Sequence, residues 1–405
     1  MAFEIKGYMM LLLEKLFKKT TPVLAIVDDN IPNAKPMGFR NYEFNLILDN
    51  VPEACIWTMS RTKPGNDAFF HHCYGQTKTD FKKNKKQYLQ FFPENKNRVY
   101  WVNTKGKYKC NLAYSIFLCT TYTLLPFYEK NKIPFVFVLY PGGGFGLDNT
   151  SSDMMLKKIC SSPYFRGVIC TQPVTRDYLL KKEFCAPDMI YHEFGGYIQF
   201  CPDDIPPKQY FQKDKQTLDI CFVAAKYSER GIDKGYDLFI DVAKQLVQKY
   251  PFVRFHVVGG FDETDISIDG LEGKIKFYGF LQVHELSTFY PKMDICLSPN
   301  RPFKLFPGNF DGFPLACEAM CFGVVLMTTD ELNNNQGYYI DGQELIVIRP
   351  DIEDIISKIE PLIESPDVLY AIGRNGATKI FNIKNPKQRA DRIIQILKEN
   401  LKENE

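Results

Sequence analysis

The sequence predicts an α/β protein built as two Rossmann-like, doubly wound domains that face a central cleft. Three observations predict it. Short apolar, strand-like runs alternate with helix-period segments along most of the chain, which is the pattern of parallel sheets covered by helices. The 405 residues exceed one hydrophobic core of usual size, so at least two domains are expected. Residues 201–217 combine prolines and charges with almost no apolar periodicity and read as a linker. The expected division is 1–205, 206–384 and a closing helical segment, 385–405.

Composition removes several classes. A 24% charged and 14% aromatic content excludes a disordered polymer. Fifty basic residues against 48 acidic ones leave a formal net charge of +2, which argues against a surface built as a whole for nucleic acid. None of the twelve cysteines stands in a C-x-x-C arrangement, and Cys170, Cys221 and Cys296 sit in apolar runs. They read as reduced core residues of a cytosolic chain. Cys317 and Cys321 have helical spacing but lack a partner ligand, and read as packing. No window reaches the ~20 apolar residues of a spanning helix, so a soluble protein is expected. The apolar run near Met9 is flanked by Glu4 and Glu14 without a cleavage site, and reads as an amphipathic first helix.

The elements follow in order. The first half offers strands at Pro22–Val27, Arg98–Val102, Ile133–Tyr140 and Gly167–Cys170, with a helix over about Leu112–Lys130. Beyond the linker come strand Leu218–Ala225, helix Tyr236–Tyr250, strand Val253–Val258 ending in Gly259-Gly260, strand Lys274–Tyr278 and helix His284–Tyr290. Strand Asp294–Ser298, helix Leu315–Phe322, strands Val324–Met327 and Leu345–Ile348, and two or three helices complete the chain, the last over about Lys387–Asn400.

In open α/β sheets ligands bind at the carboxyl ends of the strands, so the segments there are the ones to read. Asp311-Gly-Phe-Pro-Leu-Ala-Cys-Glu318 enters a helix. Pro314 suits its first turn, and the free N–H groups of Gly312, Phe313 and Leu315 form an anion site at the positive pole of the macrodipole. Glu318, one turn in, can accept hydrogen bonds from sugar hydroxyls; the competing reading is that Asp311 and Glu318 only cap and solvate the helix. The loop 225–235 places Lys226 and Lys234 near a strand end with glycines, as a diphosphate requires, although a basic loop is also often merely solvated. A third segment, Phe277-Tyr-Gly-Phe-Leu281-Gln-Val283, turns at a strand end where it can hold a flat base, or is a plain strand-turn-helix.

Together these segments resemble the donor half of retaining, GT-B-fold glycosyltransferases of the family 4 type, also called glycosyl transferases group 1. The resemblance covers about residues 187–400. It implies that Lys226 and Lys234 meet the donor diphosphate, that Leu281 and Val283 pack by the base, and that Glu318 holds the ribose with Asp311 at the sugar. It departs in two respects: Asp311 replaces the usual Glu with six residues, not seven, before Glu318, and the Asn300–Phe310 loop is longer than usual. The resemblance further implies that residues 1–205 form the acceptor side and that the last helix packs back on it.

The first half lacks the glycine-rich loop of many relatives, carrying Asp28-Asp29-Asn30 after its first strand. Gly142, Gly143 and Gly144 either let backbone approach a ligand across the cleft or form a bare turn. His71, His72 and His192 are candidates to touch the transferred sugar, or are structural. Lys78–Lys109 holds ten basic residues against two acids with interleaved aromatics. The composition suits an anionic membrane surface, with Lys82, Lys83, Lys85 and Lys86 marking peripheral contact, or single-stranded nucleic acid, or a solvated face.

The resulting expectation is a retaining transferase that moves a sugar from a nucleotide-diphosphate sugar to a hydroxyl of a glycan, lipid-linked or protein acceptor in surface glycan or glycoconjugate synthesis. No cofactor and no metal are expected, because no D-x-D pair suited to a metal-bound diphosphate appears. Its place would be cytoplasmic, at the inner face of a membrane if the basic segment docks there, with no nucleic-acid partner. The rivals are a non-catalytic nucleotide-sugar-binding or scaffold protein and another GT-B enzyme such as an epimerase.

Overall fold

A computed structural model describes residues 22–33, 39–63, 74–195, 198–304, 318–384 and 386–402. The first half runs β1 (Leu24–Asp28), α1 (Phe39–Asn50), β2 (Ala54–Met59), α2 (Lys78–Phe91), β3 (Val99–Val102), β4 (Leu112–Ile116), α3 (Leu118–Asn131), β5 (Phe135–Leu139), α4 (Thr150–Cys160), β6 (Phe165–Cys170), α5 (Pro173–Lys181) and β7 (Ile190–His192). Its strands form one parallel sheet in the order β3-β2-β1-β4-β5-β6-β7. Alternation along β1 feeds both faces: Ala25 and Val27 join the core of α3, and Leu24 and Ile26 join that of α1. Burial on both faces is why these strands are continuous apolar runs.

The second half runs β8 (Leu218–Ala224), α6 (Tyr236–Lys249), β9 (Val253–Gly259), β10 (Ile275–Phe277), α7 (Val283–Phe289), β11 (Ile295–Ser298), β12 (Val325–Thr329), β13 (Ile346–Ile348), α8 (Ile352–Glu364), α9 (Pro366–Lys384) and α10 (Pro386–Lys402). Its sheet, also parallel, has the order β10-β9-β8-β11-β12-β13. In both sheets the order reverses beside the first strand, between β1 and β4 and between β8 and β11. Crossovers leave in opposite directions there and open a crevice at the carboxyl ends.

Five points need correction. The helix expected over Leu112–Lys130 begins at Leu118, and Leu112–Ile116 is the fully buried central strand β4. The residue that breaks strand from helix is Phe117, at φ 72°, a conformation usually signalled by glycine, so the apolar run carried no visible stop. Strand β2 was not foreseen. In the helix expected over Leu315–Phe322, the described residues Glu318–Phe322 form a 3₁₀ turn, and the helix expected at His284 starts one residue earlier because Gln282 and Glu285 form a capping box. The linker is partly built into the second domain: Phe211 is buried in its core, and its amide donates to Tyr370 Oη at 2.5 Å.

Helix α10 does not stay with the domain that precedes it. Ala390, Ile393, Ile394 and Leu397 share one buried cluster with Phe44, Ile47 and Leu48 of α1. Arg389, 1% exposed, donates to the carbonyls of Glu193 and Phe194 at 3.0 and 3.1 Å, and Arg392 pairs with the Glu193 carboxylate at 2.7 Å.

Candidate active site

The β8–α6 loop reaches the crevice between β8 and β11 and is fixed there by backbone contact. Gly235 starts α6 at φ 72°; a Cβ on it would lie 2.1 Å from the Pro299 carbonyl oxygen. The amide of Arg301 donates to Asp233 O at 3.1 Å, the Arg301 guanidinium pairs with Asp237, and the Ser228 hydroxyl donates to the Asp233 carboxylate. Loop 228–237 and the end of β11 are therefore one unit.

Lys234 sits inside this unit. It is buried, its ammonium lies 5.4 Å from the centre of the Tyr227 ring, and burial pulls its pKa down against the opposing pull of Asp233. A desolvated cation at a strand end responds strongly to an arriving anion because little water screens it. Lys226 stands at the exit of β8, more exposed, and pairs with Asp265 in the loop after β9. The two lysines thus differ: one is held inside the loop, the other lies at the rim with a carboxylate beside it.

The rim continues across β9 and β10. Gly259 donates its amide to Gly279 O at 2.8 Å, which brings the turn after β10 against the end of β9. Leu281 and Val283 are half-buried and pack toward the core around Phe289 and Tyr290. Phe280 is 72% exposed, and its ring lies 3.3 Å from where a Cβ on Gly260 would be. Glu318 opens its 3₁₀ turn half-buried; its charge, after burial, contributes to raising the Tyr290 pKa. Asp311, Gly312, Phe313, Pro314 and Leu315 lie outside the described residues.

On the facing domain, Gly142–Gly144 follow β5. A Cβ on Gly143 would meet the Phe117 ring at 2.4 Å and one on Gly144 the Cys119 sulfur at 1.9 Å, while Gly143 O accepts the Cys119 amide at 2.9 Å. The glycines thus serve close approach to the start of α3. His192 ends β7 with its Nε2 buried and without a hydrogen-bond partner. Burial, then the nearby Arg176 charge, lowers its pKa to about 4. His71 and His72 lie outside the described residues. Of the five lysines on α2, Lys78, Lys82, Lys83 and Lys86 are exposed, whereas Lys85 turns inward and donates to Lys96 O and Val99 O, each at 2.7 Å.

Residues 218–365 match the family model for glycosyl transferases group 1. The likeness to that family falls on this segment. It spans β8 through α8 and so contains the Lys226–Gly235 loop, the turn from Gly279 to Val283 and Glu318. The whole fold is GT-B. The chain is similar to the sucrose-phosphate synthase of Thermosynechococcus elongatus (15% identity, 93% of this chain and 98% of that one, TM-score 0.63). It is similar also to Anabaena HepE in complex with UDP and glucose (16%, 93% and 99%, TM-score 0.64), and to a glycosyltransferase from Rickettsia africae (12%, 95% and 99%, TM-score 0.60). No curated protein matches the sequence.

Three participants around the Lys226–Gly235 loop gave no expectation in the sequence: Tyr227, Asp265 and the Pro299–Arg301 stretch. Tyr227 is next to Lys226 in sequence, and an aromatic between two basic residues was a usable signal. Asp265 lies 39 residues from Lys226 and gave none. On the first domain, Arg40 bridges Asp28 and Asp29 at 3.1 and 3.0 Å, so that pair is more than a turn. Burial and the adjoining Asp28 raise the Asp29 pKa to about 6.

Proposed function

We propose that the protein is a retaining, metal-independent glycosyltransferase that moves a sugar from a nucleotide-diphosphate sugar to a hydroxyl acceptor in surface glycan or glycoconjugate synthesis. The observation that carries this reading is Lys234, a buried ammonium on a loop locked to β11 at the switch point of the group 1 domain. UDP and glucose are bound in HepE, a structure of the same fold.

In the proposed reaction the bond from the sugar's anomeric carbon to the leaving phosphate oxygen breaks. A bond from that carbon to the acceptor oxygen forms on the same face. The acceptor's proton passes to the leaving diphosphate. Negative charge grows on the diphosphate as it departs, and Lys234 and Lys226, with the N–H groups of Gly312, Phe313 and Leu315, would stabilise it, while Asp311 would hold the sugar. Glu318 would bind the ribose, and Leu281 and Val283 would flank the base. The acceptor would enter from the β1–β7 side, near Gly143, Gly144 and His192. Lys82, Lys83 and Lys86 would rest on an anionic membrane carrying the acceptor.

Calorimetry with UDP, GDP and ADP, followed by assay of the matching nucleotide sugars for transfer and hydrolysis, tests the reading. Binding of one nucleoside diphosphate with turnover of its sugar is expected. Binding without turnover replaces it with a scaffold role, and no binding removes it. Among the described residues no helix is long and apolar enough to cross a membrane, so cosedimentation with phosphatidylglycerol vesicles tests the surface contact separately.

A further inference from the structure

The segment 330–339, after β12, leaves the second domain and grips the first. It is braced within itself. The Asp330 carboxylate accepts the amides of Asn334 and Asn335 at 2.6 and 3.1 Å, and the Asn335 side chain bonds both the N–H and the carbonyl of Tyr339, at 2.8 and 2.9 Å. Asn333 and Gln336 stand at φ 52° and 42°, left-handed conformations that turn the backbone outward. The outcome is a preformed arm carrying Leu332, Asn334, Gln336 and Tyr338.

Each of these reaches the other domain. Helix α5 has no side-chain cap of its own at Gln172; the Val174 amide in its first turn instead donates to Asn334 Oδ1 at 3.2 Å. Gln336 accepts from Arg176 at 3.3 Å and donates to Asp177 at 3.1 Å. Tyr338 stacks on Phe194 with ring centres 3.7 Å apart, and Leu332 packs against the core of the first domain. A helix start capped by a residue 160 positions away couples a local backbone bond to the placement of a whole domain.

The arm and helix α10 connect the domains in different ways. Helix α10 buries an apolar face in the first domain, which costs too much to release repeatedly. Beyond the Tyr338–Phe194 stack and the partly buried Leu332, the arm offers a handful of polar contacts, several with exposed partners such as Asp177, and such bonds are individually weak. We propose that the 330–339 arm is a releasable clasp that sets how far the cleft closes, with Asn334 and Gln336 as its positioning residues and α10 as the permanent tether. Donor and acceptor exchange would require such opening.

The test needs no substrate and stands apart from the transferase reading. In full-length protein carrying Asn334→Ala and Gln336→Ala together, the Val174 amide is expected to exchange with deuterium about fivefold faster, and the radius of gyration by X-ray scattering to rise. Asn334→Asp keeps an acceptor for the helix start and is expected to restore slow exchange, which a merely packed Asn would not predict. Gln336 is exposed, so Gln336→Ala alone folds even if the double variant does not, and the clasp requires it to expand the protein in the same direction. Wild-type exchange at Val174 together with an unchanged radius of gyration overturns the proposal.

Discussion

Gly235 and Pro299 are in backbone contact: a side-chain carbon on the glycine would stand 2.1 Å from the proline's carbonyl oxygen. The loop that carries Lys234 is thereby pinned to the strand that borders the crevice. Gly235→Ala must therefore displace the loop or strain a residue at φ 72°. A loss of about 1–3 kcal/mol is expected, with weaker UDP binding. Thermal unfolding alongside UDP calorimetry checks both; an alanine variant with unaltered stability would contradict the contact.

Lys234→Ala separates charge from packing. The substitution should lower kcat/KM about 100- to 1000-fold if the ammonium faces the departing diphosphate, while UDP affinity falls less. The lysine is already desolvated, so removing its charge relieves part of the cost of burying it, and stability should change by only about 1 kcal/mol. Steady-state kinetics against a thermal melt reads the difference. Full activity in the variant would remove Lys234 from the reaction.

Lys226 faces a competition. Its ion pair with Asp265 has to give way if the ammonium turns to a diphosphate. Asp265→Asn should then tighten UDP binding by about threefold, the equivalent of one partly exposed pair. Titration of the variant with UDP checks this, and weakened binding would show Asp265 to be a support for the lysine and not a rival ligand.

Legibility in the sequence followed the range of the physics. The second domain could be read because each strand is a short apolar run ended by Gly or by a charged loop, as at Val258-Gly259-Gly260, and because its motifs lie within single loops. The β4–α3 junction could not, since a strand buried on both faces and the helix after it are both apolar and Phe117 takes the turn that glycine would have announced. Lys234 was legible as a cation beside a glycine; the pinning of its loop was not, because Gly235 and Asp233 meet Pro299 and Arg301, more than 60 positions on. Arg40 was missed for the same reason, being tied to Asp28 and Asp29 only through the fold.

The second domain should also carry an acid-dependent weakness far from its site. Burial alone would raise the Asp219 pKa, but hydrogen bonds from His256 at 2.7 Å and Lys215 at 2.6 Å hold it down at about 2. A carboxylate depressed in the folded state contributes fully above its unfolded value near 4 and loses that contribution as pH falls toward 2. About 2 kcal/mol is expected to disappear over that window. Asp219→Asn should flatten the acid limb of a urea-unfolding series between pH 4 and 2; an unchanged slope would assign the acid sensitivity elsewhere.

Helix α10 gives the chain an unusual order of completion. The interior of the earlier domain includes Ile393 and Leu397, so when the ribosome has released everything through residue 384, that interior still lacks a wall. Oily surface on α1 and β1 must wait, or be shielded by a chaperone, until the last helix arrives. A protein cut at residue 384 would therefore lose its front half's solubility before its back half's, even though the cut falls behind the back half.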